Sequence, residues 1–327
     1  MAAAQQIKSL INSFADGDDA NFYSIAMQIA AAEAREGNKK LADELVKVID
    51  KAKIKTGQSQ GILKKMPMNI AQKELNDLFE FIKPHVSLEH MILTDEVKAG
   101  ISRLIDEQQK EAILSKYNLL PRRKLLLVGP SGSGKTMSAS VIAAELGLSV
   151  FVIRLDGLIS RYMGESIAKL RLIFDAMKQF RAVYLFDEFD SIATSRTEAN
   201  DVGEIKRILN SFLLEIEKDD SNSLIIAATN LPQALDTALL RRFDDIIKFS
   251  LPEGVNIVHA FQDGLRDVEN LISFDLSSTV IELAQGLSYA DIYHICAEVV
   301  KEQILYGQNQ ITKELLARYI EKRKRPF

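Results

Sequence analysis

Eight consecutive residues, Gly129-Pro130-Ser131-Gly132-Ser133-Gly134-Lys135-Thr136, fit the spacing G-x-x-x-x-G-K-[ST]. Their types suit phosphate. Glycines let a backbone wrap closely enough for consecutive N–H groups to face phosphate oxygens, and a helix starting where the loop ends adds its positive N-terminus. Lys135 then reaches the β- and γ-phosphates of a nucleotide, and the Thr136 hydroxyl is offered to Mg²⁺. A Gly/Ser-rich turn could merely join a strand to a helix. Here the apolar run 124–128 precedes the loop and the helical run 137–146, opening at Met137, follows it. That is the context the mechanism requires, and the candidate nucleotide-binding run is 129–137.

A second set follows in Ala182-Val183-Tyr184-Leu185-Phe186-Asp187-Glu188, an apolar strand ending in two carboxylates. Adjacent side chains at a strand end can diverge into two tasks. Asp187 suits the Mg²⁺ shell, partly through water, and Glu188 suits the polarisation of a water for in-line attack on the γ-phosphate. The second carboxylate separates a hydrolase from a nucleotide holder, so ATP and Mg²⁺ are the expected cofactors.

These residues need elements to position them. Runs 124–128, 149–155, 182–186 and 223–227 read as buried strands alternating with helical stretches. That pattern predicts a doubly wound α/β nucleotide-binding core with a parallel sheet. Residues 1–55 show helical periodicity and read as a small all-helical bundle for recognition of a partner or substrate. The polar, glycine-containing stretch 56–66 reads as a linker. Residues 67–251 comprise a helical lead-in over 67–121, with one helix over 95–117, and the α/β core. Residues 252–327 read as a helical C-terminal unit.

The order of motifs resembles the AAA ATPases of the AAA+ superfamily over about 91–300. Leu224-Ile225-Ile226-Ala227-Ala228-Thr229-Asn230, followed by Leu235-Asp236-Thr237-Ala238-Leu239-Leu240-Arg241-Arg242-Phe243-Asp244, is similar to that family's second region of homology. Asp187-Glu188-Phe189-Asp190-Ser191-Ile192-Ala193 is similar to its DEIDSIA stretch. The resemblance implies that Asn230 senses the γ-phosphate. It also implies that Arg241 or Arg242 reaches a neighbouring subunit's nucleotide, in a homo-oligomeric, hexameric ring. The family spaces its two arginines, whereas these are adjacent; Arg242 keeps its place before Phe-Asp and is favoured. Ser160-Arg161-Tyr162-Met163-Gly164-Glu165-Ser166 resembles the family's pore loop, with Tyr162 and Met163 gripping a protein substrate. Gly286-Leu287-Ser288-Tyr289-Ala290-Asp291-Ile292 resembles the start of its lid helix, with Ser288 as N-cap and Ala290 beside the nucleotide. Tyr289 replaces a glycine of that pattern.

A narrower resemblance is to bacterial AAA ATPases encoded beside a subtilisin-like serine protease, a pair associated with plasmid incompatibility and phage defence. It implies a protease partner docked by the first 55 residues. Composition limits the alternatives. With 41 Lys+Arg against 45 Asp+Glu, overall charge offers nucleic acid no attraction, which disfavours a DNA-associated loader. The basic run 321–327 reads as a solvated helix end. A nucleotide-dependent switch without turnover is disfavoured by the Asp187-Glu188 pair. The single cysteine, Cys296, cannot form an internal disulfide and reads as core. No run approaches the ~18 apolar residues that span a bilayer, and the N-terminus lacks a basic leader followed by an apolar stretch, so a cytoplasmic protein is expected.

Overall fold

In this computed structural model the described residues are 25–26, 78–84, 87–158, 165–191, 201–306 and 310–324. By its internal contacts the chain divides into two units, Met1–Asn69 and Ile70–Phe327. The second carries every element below. The linker at 56–66, the bundle read over 1–55 apart from residues 25–26, and Tyr162 and Met163 lie outside the described residues.

Six strands are present: β1 (Phe79–Ile82), β2 (Lys124–Val128), β3 (Val150–Ile153), β4 (Val183–Phe186), β5 (Leu224–Thr229) and β6 (Asp245–Lys248). They form one sheet in the order β1-β3-β4-β5-β2-β6. Every pair is parallel except β1 with β3, which is antiparallel with Phe79 opposite Ile153. The expected all-parallel sheet is therefore corrected to a mixed one, and the helical reading of 67–121 is broken by β1. Phe-Glu-Phe-Ile is too short for its period to tell strand from helix. What makes it a strand is its partner, since Phe79 and Phe81 pack on Phe151. Strand β6 escaped notice because Asp245 and Lys248 leave only two apolar residues between them.

Strands β4 and β5 are buried throughout, as is β2 apart from Lys124. Alternate side chains serve opposite faces. Leu125, Leu127, Val183 and Leu185 join Val97, Ile101 and Leu104 of helix α1 (Asp95–Gln109) and Val141 and Ile142 of helix α3 (Lys135–Leu146) in one core. On the other face Phe186 packs against Phe174 of α5 (Glu165–Gln179) and Phe212 of α6 (Asp201–Lys218). Fully burying such side chains contributes roughly 1.5–3 kcal/mol each, so sheet and flanking helices form one rigid three-layer platform. The single helix expected over 95–117 is two: α1 stops at Gln109 and a short α2 (Glu111–Ser115) follows. Helix α4 (Leu155–Leu158) is one turn after β3.

After the one-turn α7 (Thr237–Leu240) and β6 the chain is helical: α8 (Val255–Gly264), α9 (Leu276–Leu283), α10 (Tyr289–Tyr306) and α11 (Lys313–Lys324). These have their own core, including Phe261, Val280, Ile292, Cys296 and Leu316. Among the described residues, no helix is long and apolar enough to cross a membrane.

Candidate active site

Three adjacent strands deliver the polar residues. Gly129 follows β2, Asp187 follows β4 and Asn230 follows β5, and the parallel register sets Val128 opposite Thr229 and Phe186 opposite Ala227. All three therefore leave from the carboxyl edge of the sheet, where open α/β folds bind their ligands.

The loop after β2 turns back on itself. The Gly129 N–H donates to the Thr229 carbonyl at 3.2 Å. Gly132 has φ +70°, and a Cβ there would lie 2.5 Å from Ser288 Oγ and 2.9 Å from Ala290 Cβ. Only glycine fits both the left-handed backbone and the close approach. Gly134, at φ 100°, is the N-cap of α3 and sets the helix's N–H groups toward the loop. Lys135, only 7% exposed, donates through Nζ to the carbonyls of Gly129 and Pro130, each at 2.8 Å, and to Asn230 Oδ1 at 2.6 Å. Burial presses its pKa below the ordinary lysine value, while the carboxylates of Asp187 and Asp190 pull it back up.

The carboxylates divide the remaining work. Thr136 Oγ1 donates to Asp187 Oδ2 at 2.6 Å, and the Glu188 N–H donates to Asp187 Oδ1 at 2.9 Å. Both oxygens of Asp187 are thereby aimed. Glu188 is exposed and has φ +49°, a left-handed conformation that costs a non-glycine residue about 1–3 kcal/mol. Asp190, to which sequence reasoning gave no role, accepts from Thr229 Oγ1 at 2.9 Å and from the Asn230 N–H at 3.1 Å. The signal was available: it is the third carboxylate of the Asp187–Asp190 stretch.

Magnesium and a nucleotide fit these residues. The Thr136 hydroxyl and Asp187 carboxylate are hard oxygen donors already in contact, the kind of partial set that Mg²⁺ completes with substrate phosphates and water. Ser133 Oγ is buried in the loop with no hydrogen-bond partner. Such an orphan is accounted for by a ligand or water. Met91 Sδ accepts from Ser138 Oγ of α3, and a cavity of about 940 Å³ runs from Met91 to the C-terminal helices, lined mostly by polar and charged residues such as Glu89, Asp95, Lys98, Asp263 and Arg266 and by none of 129–137. Met137, 45% exposed, stands on the first turn of α3.

The C-terminal helices reach the same loop. Ala290 N–H donates to the Gly132 carbonyl at 3.2 Å. Ser288 acts as the expected N-cap of α10: its Oγ accepts from the Asp291 N–H at 3.2 Å, and Asp291 Oδ2 accepts from the Ser288 N–H at 3.0 Å. Helix α10 extends to Tyr306.

Lys135, Thr136, Asp187 and Asn230 are thus tied into one cluster, and Ala290 joins it through Gly132. Glu188, Arg241 and Arg242 stand exposed. Asp236 caps α7 through the Ala238 N–H, and the arginines follow that helix before β6. Arg242 Nη2 pairs with Glu217 Oε2 at 2.9 Å, whereas the Arg241 guanidinium has no hydrogen-bond or ion-pair partner among the described residues.

The chain is 32% identical over 311 residues to the uncharacterized AAA family ATPase y4kL of Sinorhizobium fredii, covering 95% of this chain and 92% of that protein. The chain belongs to the AAA family of ATPases. The family model described as "ATPase family associated with various cellular activities (AAA)" matches this AAA ATPase over residues 125–251, from β2 to just past β6. A proteasome-activating nucleotidase of Methanococcus vannielii is 33% identical over 224 residues, covering 65% of the AAA ATPase described here and 54% of the nucleotidase. The crystal structure of the FIGL-1 AAA domain superposes with a TM-score of 0.64 at 23% identity, covering 81% of this chain and 92% of that one, which shows the shared fold.

Proposed function

We propose that this AAA ATPase is a motor that couples ATP hydrolysis to the remodelling, unfolding or delivery of a protein through the pore of a hexameric ring. The single observation that carries the reading is the cluster at the carboxyl edge of the sheet. There Thr136 meets Asp187 at 2.6 Å and Lys135 meets Asn230 at 2.6 Å.

Each residue has a task in that arrangement. The N–H groups of 131–137 and the Lys135 ammonium bind the phosphates, and Thr136 and Asp187 would hold Mg²⁺, which neutralises phosphate charge when bound. Glu188 takes a proton from the attacking water at its carboxylate. Asn230, fixed by Asp190, orients the γ-phosphate end, and Ala290 stands beside the nucleotide. Arg241 or Arg242 of an adjoining copy completes the charge balance, so the ring assembles its own active sites. The C-terminal helices then act as a lid that moves with the state of the loop, and Tyr162 and Met163 carry that motion to the substrate.

A relative named as a proteasome-activating nucleotidase supports a protein partner. The narrower resemblance noted above makes that partner a subtilisin-like serine protease in bacterial defence, recognised by residues 1–55 acting as a separate helical domain. Affinity capture on Glu188→Gln in the presence of ATP tests both levels. The expected result is ATP-dependent recovery of a protein partner that is lost when residues 1–55 are deleted. Recovery that is indifferent to ATP and to that deletion would contradict the motor reading.

A further inference from the structure

The basic end of α11 is exposed, as expected, yet one of its side chains has a directed partner. Arg323 Nε donates to Asp291 Oδ1 at 2.7 Å across 32 residues of sequence. The other oxygen of the same carboxylate accepts from Ser288 Oγ at 2.6 Å and from the Ser288 N–H at 3.0 Å. Two residues along, Ala290 gives its N–H to the Gly132 carbonyl at 3.2 Å. First-turn N–H groups have no partner within their own helix, so this one is spent on the phosphate loop. Ser288 Oγ and Ala290 Cβ also pack where Gly132 can carry no side chain. A continuous chain of contacts therefore runs from the last turn of α11 to the loop.

Each link is short and directional. A carboxylate held on one oxygen by a guanidinium presents the other in a fixed direction. Without Arg323 the Asp291 side chain keeps its Ser288 hydrogen bonds but loses its tie to α11, and the first turn of α10 is held less tightly against Gly132. Burial works against the Asp291 charge, but the hydrogen bonds from Ser288 and Arg323 outweigh it and hold the carboxyl below its usual pKa. Helix α11 is pinned independently, because Arg318 Nη2 pairs with Glu302 at 2.6 Å and Tyr319 donates to the same carboxylate. Losing Arg323 alone leaves α11 seated.

We infer that Arg323 is a positioning residue for the nucleotide site, acting through Asp291 and Ser288 on the conformation of the loop at Gly132. It touches neither phosphate nor base. The inference rests on the reading that residues 129–137 bind ATP, and it adds a control point at the far end of the chain. Its effect falls on affinity, because Gly132 belongs to the phosphate cradle and not to the carboxylates that serve the water.

The test is steady-state ATP hydrolysis and calorimetric ATP binding by the protein with residues 1–327 intact. An ion pair as exposed as this one is worth at most about fivefold in an equilibrium. Arg323→Met should raise KM for ATP and weaken binding about threefold with kcat at saturating ATP unchanged. Arg323→Glu, which sets like charges together, should do so by about tenfold or more, and Arg323→Lys should recover most of the loss. In an Asp291→Asn background the further change Arg323→Met should have no effect. A purely structural ion pair would lower Tm and leave KM alone. KM within 1.5-fold of the parent in both Arg323→Met and Arg323→Glu overturns the inference, as does an equal shift in the Asp291→Asn background. The variant Lys135→Ala separates the two levels. Loss of binding there with none in the Arg323 variants sinks only the inference, whereas undiminished binding in Lys135→Ala sinks the reading of the loop and the inference with it.

Discussion

Lys135 Nζ lies 2.6 Å from Asn230 Oδ1, although 95 residues separate them. The contact exists because β2 and β5 are neighbours in register and each hands its next residues to the same edge. It joins the group proposed to bind phosphate charge to the group proposed to sense it, Lys135 at the first turn of α3 and Asn230 just past the end of β5.

Asn230 is itself held by Asp190, which takes its N–H and the neighbouring Thr229 hydroxyl. Asp190→Ala frees Asn230 without touching the loop. Loss of hydrogen bonds to a charged group costs about 1.5 kcal/mol or more, close to a tenfold effect. Steady-state kinetics should show kcat down by about that factor with KM for ATP changed far less.

Gly132→Ala should fail on two grounds. The φ of +70° disfavours an L residue, and the new Cβ would meet Ser288 Oγ at 2.5 Å. The backbone penalty alone is about 1–2 kcal/mol. Thermal unfolding should show a Tm several degrees lower, and calorimetry an ATP affinity at least tenfold weaker.

Sequence position favours Arg242 as the residue lent to a neighbour, but the two arginines differ in what they are already doing, and that shifts the expectation to Arg241. Arg242 would have to leave Glu217, while Arg241 has no such partner among the described residues. Arg241→Ala is therefore expected to lower kcat by roughly 10³-fold, the scale of a guanidinium supplied in trans, and Arg242→Ala by less. Mixing inactive Lys135→Ala with inactive Arg241→Ala subunits should restore ATPase activity, because mixed rings contain sites with both parts intact. Two inactive preparations that stay inactive on mixing would count against a shared site.

Cys296, 1% exposed, has its thiol pushed by burial from 9.0 up to about 12. Iodoacetamide at pH 8 should leave the native protein unlabelled by mass spectrometry and label it once in urea. In linkage terms the unfolded thiol ionises first. Its contribution to stability is intact below pH 9 and declines as the pH rises from 9 toward 12.

Much of this was legible in the sequence for physical reasons. Strands β2, β4 and β5 are buried runs without polar interruption, so their apolar character alone marks them, and the loop spacing at 129–136 is fixed by what phosphate requires. Strand β1 was hidden because four residues carry no period, and β6 because its ends are charged. The role of Asp190 needed the crossing from β4 to β5, where the Phe189 N–H meets the Ala228 carbonyl at 2.8 Å. Arg323 was illegible for the same reason: a basic helix end looks alike whether its partner is water or a carboxylate 32 residues away.

The most direct test of the account is Glu188→Gln, measured in parallel for ATP binding and for single-turnover hydrolysis at saturating protein. The side chain is exposed and its backbone conformation strained, so the amide changes the chemistry without disturbing packing. Binding within about twofold of the parent, with cleavage slowed at least 10²-fold, is the predicted result. Cleavage at the parent rate would show that another group activates the water and that the carboxyl edge of the sheet does not work as described.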